Sequence, residues 1–280
     1  MTRAHTPVVI DITDPADPRV DDFRDLNSVD RRPDLPSGKG LVIAEGVLVV
    51  KRMLASRYIP HACLGTDRRL AELRAAGALA GAAAPFYRVS PEVMADVVGF
   101  HLNRGVLAAA RRPPELRLAE VLADAGTVAV LEGVNDHENL GSIFRNAAGL
   151  GVDAVVVGAG CADPLYRRAV RVSMGHVLRV PFARAADWPG DIDVLRANGF
   201  RLLAMTPDGQ ARLLAEVMAG LGGEKVAIAV GAEGPGLTAA VLRAADARVR
   251  IPMSRGTDSL NVATAAALAF YERVRCSGSS

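Results

Sequence analysis

The second half of the chain repeats one pattern: a short, nearly continuous apolar run is followed each time by a stretch typical of a helix. The runs "TVAVLEG" and "KVAIAVG" are examples. The runs occupy positions 127–133, 152–158, 177–183, 200–206, 225–231 and 247–253. Strands that are apolar on both faces are typical of parallel sheets with helices packed on either side. The pattern therefore predicts an α/β domain with a parallel sheet over residues 127–275.

The residues outside this pattern divide into an arm, a small domain, a linker and a tail. A strand and an amphipathic helix within "GLVIAEGVLVVKRMLA" open a small α/β domain that we place at 39–112. The proline pair in "RPPELRLAEVLADAG" predicts a linker over 113–126, with a short helix in it. Residues 1–38 are rich in Asp, Arg and Pro, which predicts an irregular arm, with a merely frayed terminus as the alternative. The stretch 276–280 predicts a disordered tail.

Composition narrows the class of protein. The net charge is only +2 with a pI near 8.6, so any contact with nucleic acid needs a local basic patch. The three cysteines are scattered and form neither a disulfide framework nor a CxxC metal site, which favours a reducing cytoplasm. No apolar run has the length of a membrane span, and the first twenty residues do not resemble a signal peptide. We therefore expect a cytoplasmic protein without a membrane partner.

Common nucleotide-binding and catalytic motifs are missing. "PSGKGLV" lacks the Ser or Thr that follows the lysine of a phosphate loop, and "GAG" at 158–160 lacks the third glycine of a dinucleotide fingerprint. No GxSxG nucleophile elbow occurs. The five histidines form no i,i+4 pair and no cluster with cysteine, so we predict no metal site.

Polar and glycine-rich sequence follows three of the predicted strands, at the sheet edge where ligands bind in such folds. In "EGVNDHENLGSIFRNAAGLG", Asn139 is a candidate helix cap, and Arg145 stands among small and apolar residues. An exposed, solvated Arg145 is the alternative. In "VGAEGPGL", three glycines let the backbone approach a ligand closely, and Glu233 lies at the centre; an ordinary glycine turn is the alternative. The third stretch is "IPMSRGTDSLNV", at 251–262. In it, Ser259 is a candidate helix cap, which leaves Asn261 unexplained.

A basic segment, "PLYRRAVRVSMGHVLRV", lies between two of these strands. Arg167 and Arg171 share one helix face, Arg168 lies three residues before Arg171, and no acidic residue accompanies them. Like charges on one face repel unless an anion binds, so the segment predicts a phosphate contact. A solvated basic face is an equally good reading.

In this order, the three loops resemble the signature of the SpoU/TrmH family of RNA methyltransferases, within the SPOUT superfamily. The family pattern Asn-x-Gly-x-x-x-Arg falls on Asn139, Gly141 and Arg145, and the Gly-x-Glu-Gly loop starts at Gly231. The "IPM…SLNV" pattern spans 251–262. The resemblance is strong over residues 125–274. The unit at 39–112, with "IAEG" and "RGVLA", is similar to the L30e-like RNA substrate-binding domain that often precedes this one.

The resemblance implies a SPOUT-type parallel sheet with a C-terminal trefoil knot, a rare exception to unknotted topology. It implies a homodimer that uses S-adenosylmethionine, without a metal, to methylate a ribose 2′-hydroxyl in rRNA (23S favoured) or tRNA. The donor-binding residues it implies are Gly231, Ala232, Gly234, Ile251, Met253 and Leu260. The catalytic residues it implies are Arg145, Asn139, Glu233, Ser259 and Asn261. Arg167, Arg168 and Arg171 are then expected to contact the RNA backbone.

Three other functions remain open at this point. A catalytically silent RNA-binding or ribosome assembly protein on a methylase fold is the first. A dehydrogenase with an atypical dinucleotide fold and a base methylase of the wider superfamily are the others.

The role that we expect for Arg145 is to position the ribose and to stabilise the alkoxide charge. An arginine side chain is a poor general base because its pKa lies above about 12.

Overall fold

The computed structural model of the chain describes residues 7–24, 26 and 39–277. By spatial contact the chain divides into two units. Unit 1 comprises Met1–Pro114 and Leu165–Arg179, and unit 2 comprises Glu115–Pro164 and Val180–Ser280. Within the described ranges, no helix is both long enough and apolar enough to cross a membrane.

The strands, in chain order, are β1 (Val9–Asp11), β2 (Leu41–Glu45), β3 (Pro60–Gly65), β4 (Phe86–Arg88), β5 (Val106–Arg111), β6 (Thr127–Leu131), β7 (Ala154–Val157), β8 (Phe182–Arg184), β9 (Phe200–Met205), β10 (Arg212–Leu213), β11 (Lys225–Val230) and β12 (Ala247–Arg250). The α-helices are α1 (Val47–Leu54), α2 (Asp67–Ala75), α3 (Pro91–Val98), α4 (Leu118–Leu122), α5 (His137–Gly149), α6 (Arg167–Val172), α7 (Ile192–Ala197), α8 (Leu214–Ala219), α9 (Ala239–Ala244) and α10 (Val262–Ser277). Short 3-10 helices form at Pro18–Phe23 and His176–Leu178.

Unit 1 contains a five-stranded mixed sheet in the order β1-β4-β3-β5-β2. Strand β5 pairs antiparallel with β2 and β3, whereas β4 pairs parallel with β1 and β3. A core of apolar side chains from β2, β3, β5 and α3 covers one face of this sheet. The strand and helix predicted at the start of this small domain are confirmed as β2 and α1.

The prediction of an irregular arm over 1–38 is wrong for the part of it that the structure describes. Val9–Asp11 forms the edge strand β1, and Pro18–Phe23 forms a 3-10 helix. Ile12, Val20 and Phe23 are buried in the core of unit 1. Apolar residues spaced among the acidic ones therefore anchor this segment, a signal that the Asp-, Arg- and Pro-rich composition concealed. Residues 27–38 lie outside the described residues.

The basic segment Leu165–Arg179 belongs to unit 1, although in sequence it lies between β7 and β8 of unit 2. Arg167 donates from Nη1 to Oε2 of the buried Glu45 at 2.9 Å, and its guanidinium lies 5.4 Å from the Phe100 ring centroid. Arg52 of α1 donates to the Met174 carbonyl. The expectation that no acid accompanies these arginines is wrong for Arg167, because its acidic partner lies more than 100 positions away in sequence.

Unit 2 contains a seven-stranded sheet in the order β10-β12-β9-β11-β6-β7-β8, and every strand pair in it is parallel. The predicted parallel sheet is thus confirmed. The central strands are buried on both faces of the sheet. In β6, for example, all five residues are buried. Helices α4, α7 and α9 contribute to the core on one face, and α10 contacts both α5 and α8 elsewhere in the unit.

Two boundaries differ from prediction. The run 177–183 was expected to be one strand, but its first residues form a 3-10 helix and only Phe182–Arg184 is strand. The prediction of a disordered tail over 276–280 is wrong for Cys276 and Ser277, which belong to α10; residues 278–280 lie outside the described residues. The predicted linker at 113–126 contains α4, whose Val121 and Leu122 are buried in the core of unit 2.

The strand order reverses next to β6. From β6 the chain moves outward through β7 to β8, and it then returns to the other side of β6 through β9 and β11. Loops that follow β6 and β11 therefore diverge at this point, which leaves a crevice at the carboxyl ends of the strands. Asn139 follows β6, and Glu233 follows β11.

Candidate active site

Three polar side chains from distant parts of the sequence meet at this edge of the unit 2 sheet. Asn139 Nδ2 donates to Glu233 Oε1 at 2.8 Å. Asn261 Nδ2 donates to Asn139 Oδ1 at 2.8 Å and to Glu233 Oε1 at 3.2 Å. We call these residues the polar triad. Each amide donates toward the carboxylate, so the triad holds Glu233 in one position with its second oxygen outside these contacts.

The helix caps are not the residues that the sequence suggested. Asp136, rather than Asn139, caps α5, and its Oδ1 accepts from the backbone N–H groups of Glu138 and Asn139. Asn261, rather than Ser259, caps α10, with its Oδ1 accepting from Ala263 at 3.0 Å and Thr264 at 3.1 Å. Because Asp136 satisfies the start of α5, the side chain of Asn139 is available for the polar triad.

A cavity of about 280 Å³ opens beside the polar triad. Main chain and small or apolar side chains form most of its wall, and Glu233 is the charged residue in it. The six residues expected to bind the donor all line this cavity, as do Ser259 and Asn261. They come from the loops after β11 and β12 and from the start of α10. The structure thus brings together residues that the sequence placed in two separate loops.

The loop 231–237 has its shape because of glycine. A Cβ atom at Gly231 would lie 2.2 Å from the carbonyl carbon of Gly236, so the loop closes on itself only without a side chain there. Gly236 N–H donates to the Ala232 carbonyl at 3.0 Å across this closure. Gly234 has a φ of +88°, a left-handed conformation that glycine adopts without strain. The glycines therefore form a tight loop that presents main-chain groups to the cavity.

Arg145 lies on α5, six residues after Asn139, and is exposed. Six residues correspond to about 9 Å along a helix axis and about a third of a turn around it, so the two side chains leave α5 in different directions. Arg145 does not line the cavity. Among the described residues it has no hydrogen-bond or ion-pair partner. A single chain therefore does not bring Arg145 into the polar triad.

One wall of the cavity was not predicted from the sequence. Met205, Thr206 and Pro207 line it from the end of β9. These residues follow a predicted apolar strand, as the three chosen loops do, but they contain neither glycine nor a charged side chain. Adjacency of β9 to β11 in the sheet is what places them here, and the signal available beforehand was only that β9 ends at the same edge. Among the described residues, no group of three His, Cys, Asp or Glu side chains could hold a metal ion.

Residues 126–271 match the model of the SpoU rRNA Methylase family. The chain belongs to that family. It is an RNA methyltransferase of the SpoU/TrmH type, which confirms the resemblance seen in the three loops. The SpoU match covers every residue of the polar triad and of the cavity wall.

Similar proteins carry the same family relationship. An uncharacterized tRNA/rRNA methyltransferase of Mycobacterium bovis is 74% identical over 95% of this chain and 92% of the relative. A 23S rRNA (guanosine(2553)-2′-O)-methyltransferase of Bacillus subtilis is 31% identical over 66% of this chain and 71% of the relative. Among solved structures, the AdoMet-bound rRNA methyltransferase of Sinorhizobium meliloti is 25% identical, with a TM-score of 0.79 over 95% of this chain and 98% of that chain. Similarity to this rRNA methyltransferase thus extends over both units.

Proposed function

We propose that this protein transfers a methyl group from S-adenosylmethionine to a ribose 2′-hydroxyl of an RNA. The observation that carries the proposal is the polar triad at the rim of a cavity built from main chain. The similarity to an AdoMet-bound methyltransferase and to a 2′-O-methyltransferase supports the choice of donor and of acceptor.

The cavity suits a nucleoside-type donor with a positive sulfonium. Backbone groups of the loop 231–237 and of the stretch after β12 can hydrogen-bond to an adenine and a ribose, while Ile251, Met253 and Leu260 supply apolar contact. Glu233, the charged residue in the wall, makes the cavity attractive to a cation. When bound, S-adenosylmethionine supplies an activated methyl group on sulfur.

The chain's own residues must position and activate a hydroxyl, which is a weak nucleophile. In the transfer, the 2′-oxygen would bond to the methyl carbon as the bond from that carbon to sulfur breaks, its electron pair staying on sulfur, and the hydroxyl proton would pass to water at the mouth of the cavity. Arg145 holds the ribose and the adjacent phosphate and stabilises the negative charge that develops on the 2′-oxygen. The polar triad and Ser259 orient the ribose at the mouth of the cavity.

Arg145 reaches this position in a homodimer, in which the active site of one chain is completed by the other. A monomer leaves Arg145 away from the polar triad, and α10 carries three exposed apolar side chains, Leu268, Tyr271 and Val274. We call these three the α10 stripe and propose it as part of the dimer surface.

RNA selection falls to unit 1, for which we propose the role of an L30e-like substrate-binding domain. Arg168 and Arg171, on the segment Leu165–Arg179, contact RNA phosphates, and Arg167 supports them through its ion pair with Glu45. The proposed substrate is rRNA, 23S in preference, with tRNA second. A C-terminal trefoil knot is the topology that family resemblance predicts for the donor site.

The test is the Arg145→Ala variant. We expect methyl transfer to RNA to fall at least a hundredfold, while calorimetric affinity for S-adenosylhomocysteine stays within about twofold of wild type, because Arg145 is not part of the cavity wall. Arg243→Ala, on α9, removes a comparable charge elsewhere in unit 2 and serves as the control. Near-normal turnover in Arg145→Ala contradicts the catalytic role.

The acceptor is identified by incubating the wild-type protein with radiolabelled donor and separated tRNA, 16S and 23S RNA. Digestion of the labelled RNA to nucleosides then distinguishes a 2′-O-methylribose from a methylated base. Donor binding without transfer to any RNA would favour the silent RNA-binding protein over the enzyme.

A further inference from the structure

Glu132 is a buried carboxylate next to the cavity, outside the proposed mechanism. It follows β6 and is 6% exposed. Its Oε1 accepts from Trp188 Nε1 at 2.7 Å and from Thr238 Oγ1 at 3.0 Å, and its Oε2 accepts from Thr238 N–H at 2.7 Å. Within the described part of the chain it forms no ion pair. Three donors, and no cation, therefore hold this carboxylate.

Glu132 contacts both ends of the glycine loop 231–237. Its backbone N–H donates to the carbonyl of Val230, the residue just before the loop, at 3.0 Å. Its side chain accepts from the backbone of Thr238, the residue just after the loop. One residue thus sets the separation between the entry and the exit of the loop that forms one wall of the cavity.

The loop between these anchors has little room to adjust. The Ala232 carbonyl and the Gly236 N–H close it internally at 3.0 Å. On the other side, a Cβ at Gly133 would lie 2.8 Å from the Cβ of Ala232, so the residue after Glu132 already packs against the loop. A change in the distance between the anchors must therefore move Ala232 and the neighbouring Glu233 relative to the rest of the cavity.

We propose that Glu132 is a positioning residue that fixes the loop 231–237 in its donor-binding shape, and thereby sets affinity for the methyl donor. The inference rests on the proposed function to the extent that it takes this cavity as the donor site. Glu132 acts through the loop, because it does not itself line the cavity.

The site requires a carboxylate rather than any polar side chain. All three partners of Glu132 donate hydrogen bonds, so both oxygens must accept. A glutamine would direct its NH₂ group either at the Thr238 N–H or at the Trp188 N–H, and each arrangement sets a donor against a donor. A buried N–H without an acceptor is costly, so the loop end would move to relieve it.

Glu132→Gln is the direct test, with calorimetric binding of S-adenosylhomocysteine and steady-state kinetics as the measurements. We expect the dissociation constant to rise about tenfold, which corresponds to about 1.4 kcal/mol. The KM for the donor should rise in parallel, while the KM for RNA stays within about twofold. A general loss of stability would not separate the two KM values in this way.

Asp153→Asn is a matched control. Asp153 contacts the start of β6, whereas Glu132 follows the end of that strand. Asp153 Oδ2 accepts from the N–H groups of Gly126 and Thr127, at 2.9 and 2.8 Å, so it too is a carboxylate that holds backbone N–H groups beside β6. Because one oxygen accepts both bonds, an asparagine oxygen can replace it, and we expect Asp153→Asn to leave donor affinity unchanged. An equal loss of affinity in both variants would overturn the proposal.

A second variant covers the case in which Glu132→Gln does not fold. Trp188→Phe combined with Thr238→Val removes both donors to Oε1 and keeps the Thr238 N–H, and we expect it to weaken donor binding about threefold to tenfold. A folded variant of either kind with wild-type affinity would show that Glu132 does not position the loop. If the wild-type protein itself bound no S-adenosylhomocysteine, the donor assignment would fail instead, and this outcome is distinct from the first.

Discussion

Asn261 has two functions that its two amide atoms keep separate. Its Oδ1 caps α10 through Ala263 and Thr264, while its Nδ2 donates to Asn139 and Glu233 in the polar triad. Helix stability and site geometry therefore depend on different halves of one side chain. A substitution that changes only one half can distinguish the two.

We predict that Asn261→Asp abolishes most methyl transfer with little loss of stability. An aspartate keeps the oxygen that caps α10 but places a second carboxylate against Glu233. Asn261→Ala should lower the free energy of unfolding by about 1 kcal/mol, because the cap is lost as well. Urea denaturation and a transfer assay measure the two effects.

Ser259→Ala is the control for the cap, since Ser259 is exposed and makes no capping bond to α10 among the described residues. We expect its free energy of unfolding to match that of wild type within about 0.5 kcal/mol. If Ser259→Ala lost as much free energy of unfolding as Asn261→Ala, Ser259 would be the residue that caps α10.

At the level of elements, Asp22 bonds the N-terminal 3-10 helix to polar side chains elsewhere in unit 1, beside the buried Val20 and Phe23. Its Oδ2 contacts His61 Nε2 at 2.7 Å, and its Oδ1 contacts Lys39 Nζ at 2.5 Å. Burial works to raise the pKa of Asp22, but the hydrogen bonds from Lys39 and His61 outweigh it and hold that pKa below its usual value. The charged form of Asp22 is therefore favoured in the folded protein.

Asp22→Asn should lower the free energy of unfolding by about 1 kcal/mol at pH 7. Because the folded pKa is depressed, the wild-type advantage is present above the unfolded pKa of about 3.9 and is lost as pH falls through the folded pKa. Chemical denaturation at several pH values between 3 and 7 should show the two proteins converge at the acid end. Asp21→Asn, which removes an exposed pair with Arg24, should change stability by less than about 0.5 kcal/mol throughout. A difference between Asp22→Asn and wild type that does not shrink as the pH falls below about 3.9 would exclude titration of Asp22 as its source.

At the level of the whole molecule, the α10 stripe consists of Leu268, Tyr271 and Val274, which are 42%, 55% and 45% exposed. Their spacing of three residues keeps them on one side of the helix. The opposite side of α10 packs against α5 and α8. A helix with apolar residues on its outward side as well as its inward side is suited to contact with a second copy.

We predict a dimer of about 59 kDa, twice the chain mass of 29.4 kDa, in sedimentation velocity. The double variant Leu268→Glu/Tyr271→Glu should sediment as a folded monomer and lose methyl transfer, because Arg145 then has no partner site. Ile59→Glu alters an exposed apolar residue of unit 1 and should remain dimeric. A fully active wild-type monomer would refute the shared site.

The parallel sheet of unit 2 and most of the residues around its cavity could be predicted from the amino-acid sequence alone. Strands apolar on both faces have few alternative arrangements, and loops rich in glycine and amides reveal themselves by composition. The six residues expected to bind the donor therefore all fall on the cavity wall. What a local pattern could not reveal was the partner of each polar group.

Those partners were decided by tertiary structure. Asp136 caps α5, so that Asn139 is able to hydrogen-bond to Glu233. Arg167 forms an ion pair with Glu45, an acidic residue of β2. The roles of Asn261 and Glu132 likewise depend on contacts with residues about 100 or more positions away. Hydrogen bonds and ion pairs are short-range and directional, so the residues that form them are determined only once the sheet has brought its strand ends together.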